Sequence, residues 1–250
     1  MQDVRSGGCN TRAVSAIYLV RYIGVVAPRR PPGLAGLFLG VAVEAPRVCV
    51  VIDYQNIHLT ARDLFAPNGS PPEDCLIDPL KFAEQVLQVR ASCQRDELQK
   101  LAELASVRVF RGQPSNSRQA FVYGISQRQR SEWTRDRRVE VTYRTLKYPP
   151  SWPDKAAQEK GIDVLVALTV VRQALTGDYG VVILASHDTD LEPALEMSAA
   201  DGASKIETAG WQGGRVLRLP GGRRLWHTAL SGADMVHTRD RRNYLPPDRR

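Results

Sequence analysis

Four aspartates stand where a chain of this kind could do chemistry on a charged ligand. Asp53 closes the apolar run "RVCVVID", Asp163 opens a helix-like stretch in "KGID", and Asp188 and Asp190 follow "VVILA" in "SHDTD". Carboxylates brought together repel: two unit charges about 5 Å apart cost roughly 3 kcal/mol at an effective dielectric near 20. Such groups do not ionise together without a cation or strong hydrogen-bond donors, and hard divalent ions with oxygen ligands, Mg²⁺ or Mn²⁺, meet that need. Each aspartate also has a plainer use, because Asp after a strand is a common turn or N-cap residue. Asp190 in particular is placed to cap a helix beginning at Leu191.

What these carboxylates can do depends on the elements that present them. "RVCVVID" is short, β-branched and almost continuously apolar, as expected of a strand buried on both faces. "SVRVFRG", "VEVTYRTL", "YGVVILAS" and "ASKIETAG" read as four further strands. Between them lie helical stretches: one from Pro79 to about Leu104, broken near Ser92 and capped by Asp78; a long basic one over "SNSRQAFVYGISQRQRSEWTRDRR"; "KGIDVLVALTVVRQALTGD", stopped near Gly177; and "DLEPALEMSAADG". Strands alternating with helices predict a three-layer α/β/α sandwich around a mainly parallel sheet. In open sheets of that kind ligands gather outside the carboxyl ends of the strands, where Asp53 and Asp188/Asp190 fall.

At this point the residues carry a resemblance. "VVIDYQN", "KGID" and "ASHDTDLEPAL", in this order and in these strand contexts, resemble the NYN domains, a branch of the PIN-like, FEN-like nuclease fold. The resemblance implies a metal-dependent ribonuclease that cleaves RNA with Mg²⁺ or Mn²⁺. Asp53, Asp163, Asp188 and Asp190 would form the acidic centre, and Asn56 would help orient metal or substrate. Many members carry an acid six positions after Asp163, where this chain has Thr169; the alternative reading is therefore a catalytically inactive RNA-binding or interaction module. A haloacid-dehalogenase-like phosphatase fits less well, because Gln55 stands two positions after Asp53 where that family pairs a second Asp. A dinucleotide-binding turn needs glycines that "DYQNIH" lacks.

The bulk of the chain agrees with a polyanion ligand. Its 250 residues carry 34 Lys and Arg against 27 Asp and Glu, a net charge of +7, and such a field concentrates nucleic acid. Arg128, Arg130, Arg135, Arg137 and Arg138, with Trp133 as a stacking surface, form a candidate RNA track on the basic helix; Ser115, Asn116 and Ser117 are a second candidate phosphate contact. His187 is either a phosphate contact or an ordinary turn residue. Cys9, Cys49, Cys75 and Cys93 form no metal-ligand spacing, which points to a reducing cytoplasmic setting. Two N-terminal apolar patches are interrupted by Arg21 and by "PRRPP" and fall short of the ~18–20 residues a membrane span needs. We expect a poorly determined extension over residues 1–45, the catalytic-type domain over 46–212, and a Gly/Arg-rich segment over 213–250, partly packed and mobile beyond His237. A homodimer and a regulatory protein partner are both left open.

Overall fold

The computed structural model describes residues 44–246; most of the expected N-terminal extension lies outside them. Six strands form one sheet: β1 (Arg47–Asp53), β2 (Glu103–Gln113), β3 (Val139–Thr145), β4 (Val181–Ala185), β5 (Lys205–Trp211) and β6 (Trp226–Leu230). Every pairing is parallel, and the order is β3-β2-β1-β4-β5-β6. Parallel neighbours require long crossovers, which are supplied chiefly by helices α1 (Tyr54–Phe65), α2 (Pro79–Cys93), α3 (Glu97–Lys100), α4 (Ala120–Trp133), α5 (Ile162–Thr176) and α6 (Glu192–Asp201), with α7 (Gly232–Thr238) following β6.

Alternation along β1 builds both cores. Val48, Val50 and Ile52 pack with Ile57, Phe82, Val86 and Trp133 of α1, α2 and α4 on one face. Cys49 and Val51 pack with Val166, Val170 and Leu195 of α5 and α6 on the other. Burial on both faces explains why β1 reads as a continuous apolar run instead of an alternating one.

Helix boundaries follow local chemistry. Asp78 accepts hydrogen bonds from the backbone N–H groups of Leu80 and Lys81, with Pro79 at the first helical position. Gly177, at φ +68°, ends α5 in the left-handed conformation that glycine adopts most readily.

Two expectations are corrected. The stretch after Pro79 stops at Cys93, and β2 starts as early as Glu103. The basic helix begins only at Ala120, so Ser115–Ser117 lie in a turn ahead of it. Residues just beyond His237 make contacts with the domain: Asp240 is buried and accepts from the Trp133 indole Nε1 (2.8 Å) and from the Tyr244 hydroxyl, while Arg242 pairs with Asp240 and Asp78. A buried indole N–H needs an acceptor, and this polar segment supplies it. Among the described residues no helix is long and apolar enough to cross a membrane.

Candidate active site

The strand order places a switch point at β1 and β4. From β1 the chain crosses to β2 and β3 on one side, and from β4 it crosses to β5 and β6 on the other. Crossovers diverging this way open a crevice above the carboxyl ends of the two central strands. A cavity of about 390 Å³ lies there, lined among others by Asp53, Asn56, Glu159, Lys160, Asp163 and Asp188.

Asp53 ends β1 and is 7% exposed. Its Oδ2 accepts from the Ser186 hydroxyl at 3.1 Å. Burial pushes its pKa up to about 6, with Glu159 and Asp188 adding repulsion and the Ser186 hydrogen bond opposing the shift. Asp188, after β4, accepts the Asp190 backbone N–H at 3.0 Å, and the Ser186 hydroxyl in turn accepts the Asp188 N–H. Asp163 arrives from another direction, in the first turn of α5. Three separated segments thus deliver three of the expected aspartates to one crevice.

The fourth behaves differently. Asp190 is exposed and does not line the cavity. Nor is it a cap: Asp188 caps the single 3-10 turn Thr189–Leu191, and α6 starts without a side-chain cap.

Glu159 is a fourth carboxylate in the crevice that no sequence pattern singles out. Its Oε1 accepts the Gly112 N–H at the end of β2, and burial raises its pKa. A Cβ on Gly112 would stand 2.6 Å from Glu159 Cγ, so only glycine admits this approach without a shift. The one sequence signal is its position just before "KGID", in a proline-rich loop without periodicity. Thr169 is half-buried on α5 and does not line the cavity.

Two residues hold the crevice in shape. Asn56 Oδ1 accepts the His187 backbone N–H at 2.8 Å, tying α1 to the turn after β4. The His187 ring is buried and uses both nitrogens: Nε2 accepts from Trp211 N–H (3.0 Å), so the proton sits on Nδ1 and is donated to the Arg215 carbonyl (2.8 Å). Burial lowers its pKa, and the neutral ring anchors the turn to β5 with no nitrogen left for phosphate. The ring fits only because two glycines face it, since Cβ atoms at Gly210 and Gly214 would come within 2.4 and 2.3 Å. Gly210→Ala is therefore expected to cost about 1–3 kcal/mol through overpacking. Urea denaturation measures it, and an unchanged midpoint would show that the ring is loosely held.

One member of the basic track is corrected. Trp133 is 3% exposed and sits in the core with its Nε1 committed to Asp240, so it offers no face to a base. α4 runs from the carboxyl end of β2 back to the start of β3, which carries Arg135, Arg137 and Arg138 to the sheet edge opposite the crevice. Arg135 pairs with Glu132, and Arg138 with Asp136 and Glu84. Arg128 donates to the Tyr244 carbonyl, and Arg130 lies over the Tyr143 ring. In the turn after β2, Ser115 gives its backbone N–H to the Tyr148 hydroxyl.

Among the described residues no group of three or more His, Cys, Asp or Glu side chains stands close enough to hold a metal ion together.

A six-stranded parallel sheet flanked by helices, with carboxylates gathered at its switch point, defines an α/β domain of the PIN-like, Rossmann-like class. The chain belongs to the NYN domain family, whose model matches residues 47–210. One similar solved structure is a protein of unknown function from Vibrio parahaemolyticus, 18% identical with a TM-score of 0.46, covering 74% of this chain and 93% of that one. Comparison with curated proteins finds no match.

Proposed function

We propose that the chain is a metal-dependent ribonuclease, hydrolysing RNA phosphodiester bonds at the Asp53–Asp163–Asp188 crevice. The observation that carries this reading is Asp53, a buried carboxyl with a raised pKa and, among the described residues, no ion pair to Lys or Arg. Burying an acid without a countercharge is costly, and such groups in clefts mark functional sites.

The donor set suits a hard divalent cation: the carboxylates of Asp53, Glu159, Asp163 and Asp188, with neither thiol nor imidazole in the lining. Those residues would hold Mg²⁺ or Mn²⁺, and such an ion supplies a water of lowered pKa and positive charge for phosphate oxygens. The rest falls to the chain itself. Ser186 fixes the Asp53 carboxyl, Asn56 and His187 fix the turn that carries Asp188, and Lys160 offers a positive charge at the rim for substrate phosphate. The buried thiols of Cys49 and Cys75 are free, which agrees with action in a reducing cytoplasm.

Asp188→Asn is the direct test, because asparagine caps a turn as well as aspartate does and only the charge is lost. Cleavage of single-stranded RNA with Mn²⁺ or Mg²⁺ is expected from the wild type and not from the variant, at equal folded content. A second reading, RNA binding without turnover, draws on the separation of the carboxylates beyond three-ligand reach. RNA retention without metal-dependent cleavage would decide for it.

A further inference from the structure

The connection between β3 and α5 makes a closed excursion above the same sheet edge. Lys147 and Gln158 exchange both backbone hydrogen bonds, at 2.8 and 2.9 Å, which pinches off residues 148–157. Glu159, Lys160 and Gly161, immediately after the pinch, line the crevice. Tyr148 and Trp152 in the excursion meet edge to face, with centroids 5.5 Å apart at 82°. The Arg118 guanidinium lies over both rings, 5.2 Å from the first centroid and 5.7 Å from the second. Tyr148 is fixed in place, its hydroxyl accepting from Ser115 N–H (2.8 Å) and donating to Gln119 Oε1 (2.7 Å).

This cluster does not support either core: neither ring belongs to the apolar sets on the two faces of the sheet. Trp152 and Tyr148 are half-buried and Arg118 is exposed. Besides Arg118, the excursion and its flanks carry Arg144, Lys147, Lys155 and Lys160 against Asp154 and Glu159. Arg135 and Arg138, just after α4, are by contrast engaged by acids of their own neighbourhood.

We infer that Arg118, Tyr148 and Trp152 form a docking platform for single-stranded RNA, leading the strand into the acidic crevice; the identity of the ligand rests on the ribonuclease reading. Base–aromatic stacking tolerates any sequence because every base has a π-face, and a guanidinium already stacked on the rings is held ready for a phosphate or a base. Excess positive charge in the segment that carries the half-buried rings suits a nucleic acid strand better than an apolar protein partner. A rigidly hydrogen-bonded Tyr148 means that little order has to be gained on binding.

The test is binding of a labelled oligouridine of roughly 12 nucleotides to the full chain in EDTA, where cleavage plays no part. Trp152→Ala is expected to weaken binding about tenfold, and Trp152→Phe to retain most of it. Arg118→Glu should weaken binding and make the salt dependence shallower. Arg137→Ala, at the opposite edge, should leave affinity unchanged. Circular dichroism and melting check each variant; if Trp152→Ala does not fold, Arg118→Glu decides in its place, with Trp152→Phe as the folded control. Wild-type affinity in the folded Trp152→Ala and Arg118→Glu variants, or no RNA binding by the wild type at low salt, overturns the platform. Asp188→Asn separates the two proposals: it should bind the oligouridine through the platform while failing to cut RNA. RNA that binds here and is never cut would sink the ribonuclease reading alone.

Discussion

Asp53→Asn is expected to stabilise the metal-free protein at neutral pH while abolishing RNA cleavage. The two effects share one cause. The Asp53 carboxyl sits at the end of a buried strand, where water cannot solvate its charge and Glu159 and Asp188 repel it, so its pKa rises from 3.8 to about 6. The folded state therefore holds this proton more tightly than the unfolded chain does. Stability from this group is fully present below about pH 4 and is lost as pH rises through about 6. A shift of that size corresponds to an order-of-magnitude limit of ~3 kcal/mol at pH 7 and above. Asparagine carries no charge to desolvate and can still meet the Ser186 hydroxyl, so the variant lacks the slope. In EDTA, urea denaturation should give nearly equal stabilities below about pH 4 and a gap favouring the variant by about 1–3 kcal/mol at about pH 7.5. Added Mn²⁺ should reverse the order, because binding to the folded wild type stabilises it and the variant lacks a ligand. Parallel pH profiles in EDTA would show that Asp53 is not a desolvated acid.

Much of this site was legible before any coordinates. Asp53 ends one short, mostly apolar run and Asp188 follows three residues after another; a run buried on both faces ends at the sheet edge where ligands bind, so their meeting follows from a parallel sheet alone. Asp163 was legible as the first turn of a helix with clear start and stop signals. Glu159 was not, because it occupies a loop without a period, and its approach depends on Gly112, distant in sequence but adjacent in space. Trp133 misled for a related reason. The buried residues of α4 are Ser126, Gln129 and Trp133, so polar side chains make up most of its inner face and the hydrophobic period is masked. Which sheet edge the basic residues after Trp133 occupy follows from the topology: a helix that follows one parallel strand must run back toward the start of the next. Asp240 was hidden by its setting, an Arg-rich tail in which nothing marks the one acid that accepts the Trp133 indole N–H.

The opposite result is expected for the other deeply buried carboxylate of the sheet. Glu207→Gln on β5 should destabilise the protein by about 3–5 kcal/mol, because removing one partner of a buried ion pair strands the other. Glu207 is 0% exposed and grips Arg90 of α2, 1% exposed, through two hydrogen bonds of 2.7 and 2.9 Å, with Lys205 at 2.8 Å. Gln99 accepts from Nη1 through its backbone carbonyl at 2.7 Å and from Nη2, which it shares with Glu207, through Oε1 at 2.6 Å, so Nε has its partner and Nη2 its second only with both Glu207 oxygens in place. Replacing both members, Arg90→Met with Glu207→Leu, should recover most of the loss, since an apolar pair of similar volume has no charge to desolvate. Urea denaturation at about pH 7 reads both, and a Glu207→Gln loss below about 1 kcal/mol would mean that the pair contributes little. RNA cleavage per folded molecule should not change, because the pair packs where α2 crosses β5 and lines no part of the crevice. Neutralising one buried carboxylate is thus expected to loosen the fold, and neutralising the other to tighten it. The difference lies in whether the protein itself supplies the countercharge: Arg90 and Lys205 do so at Glu207, and among the described residues no Lys or Arg does so at Asp53.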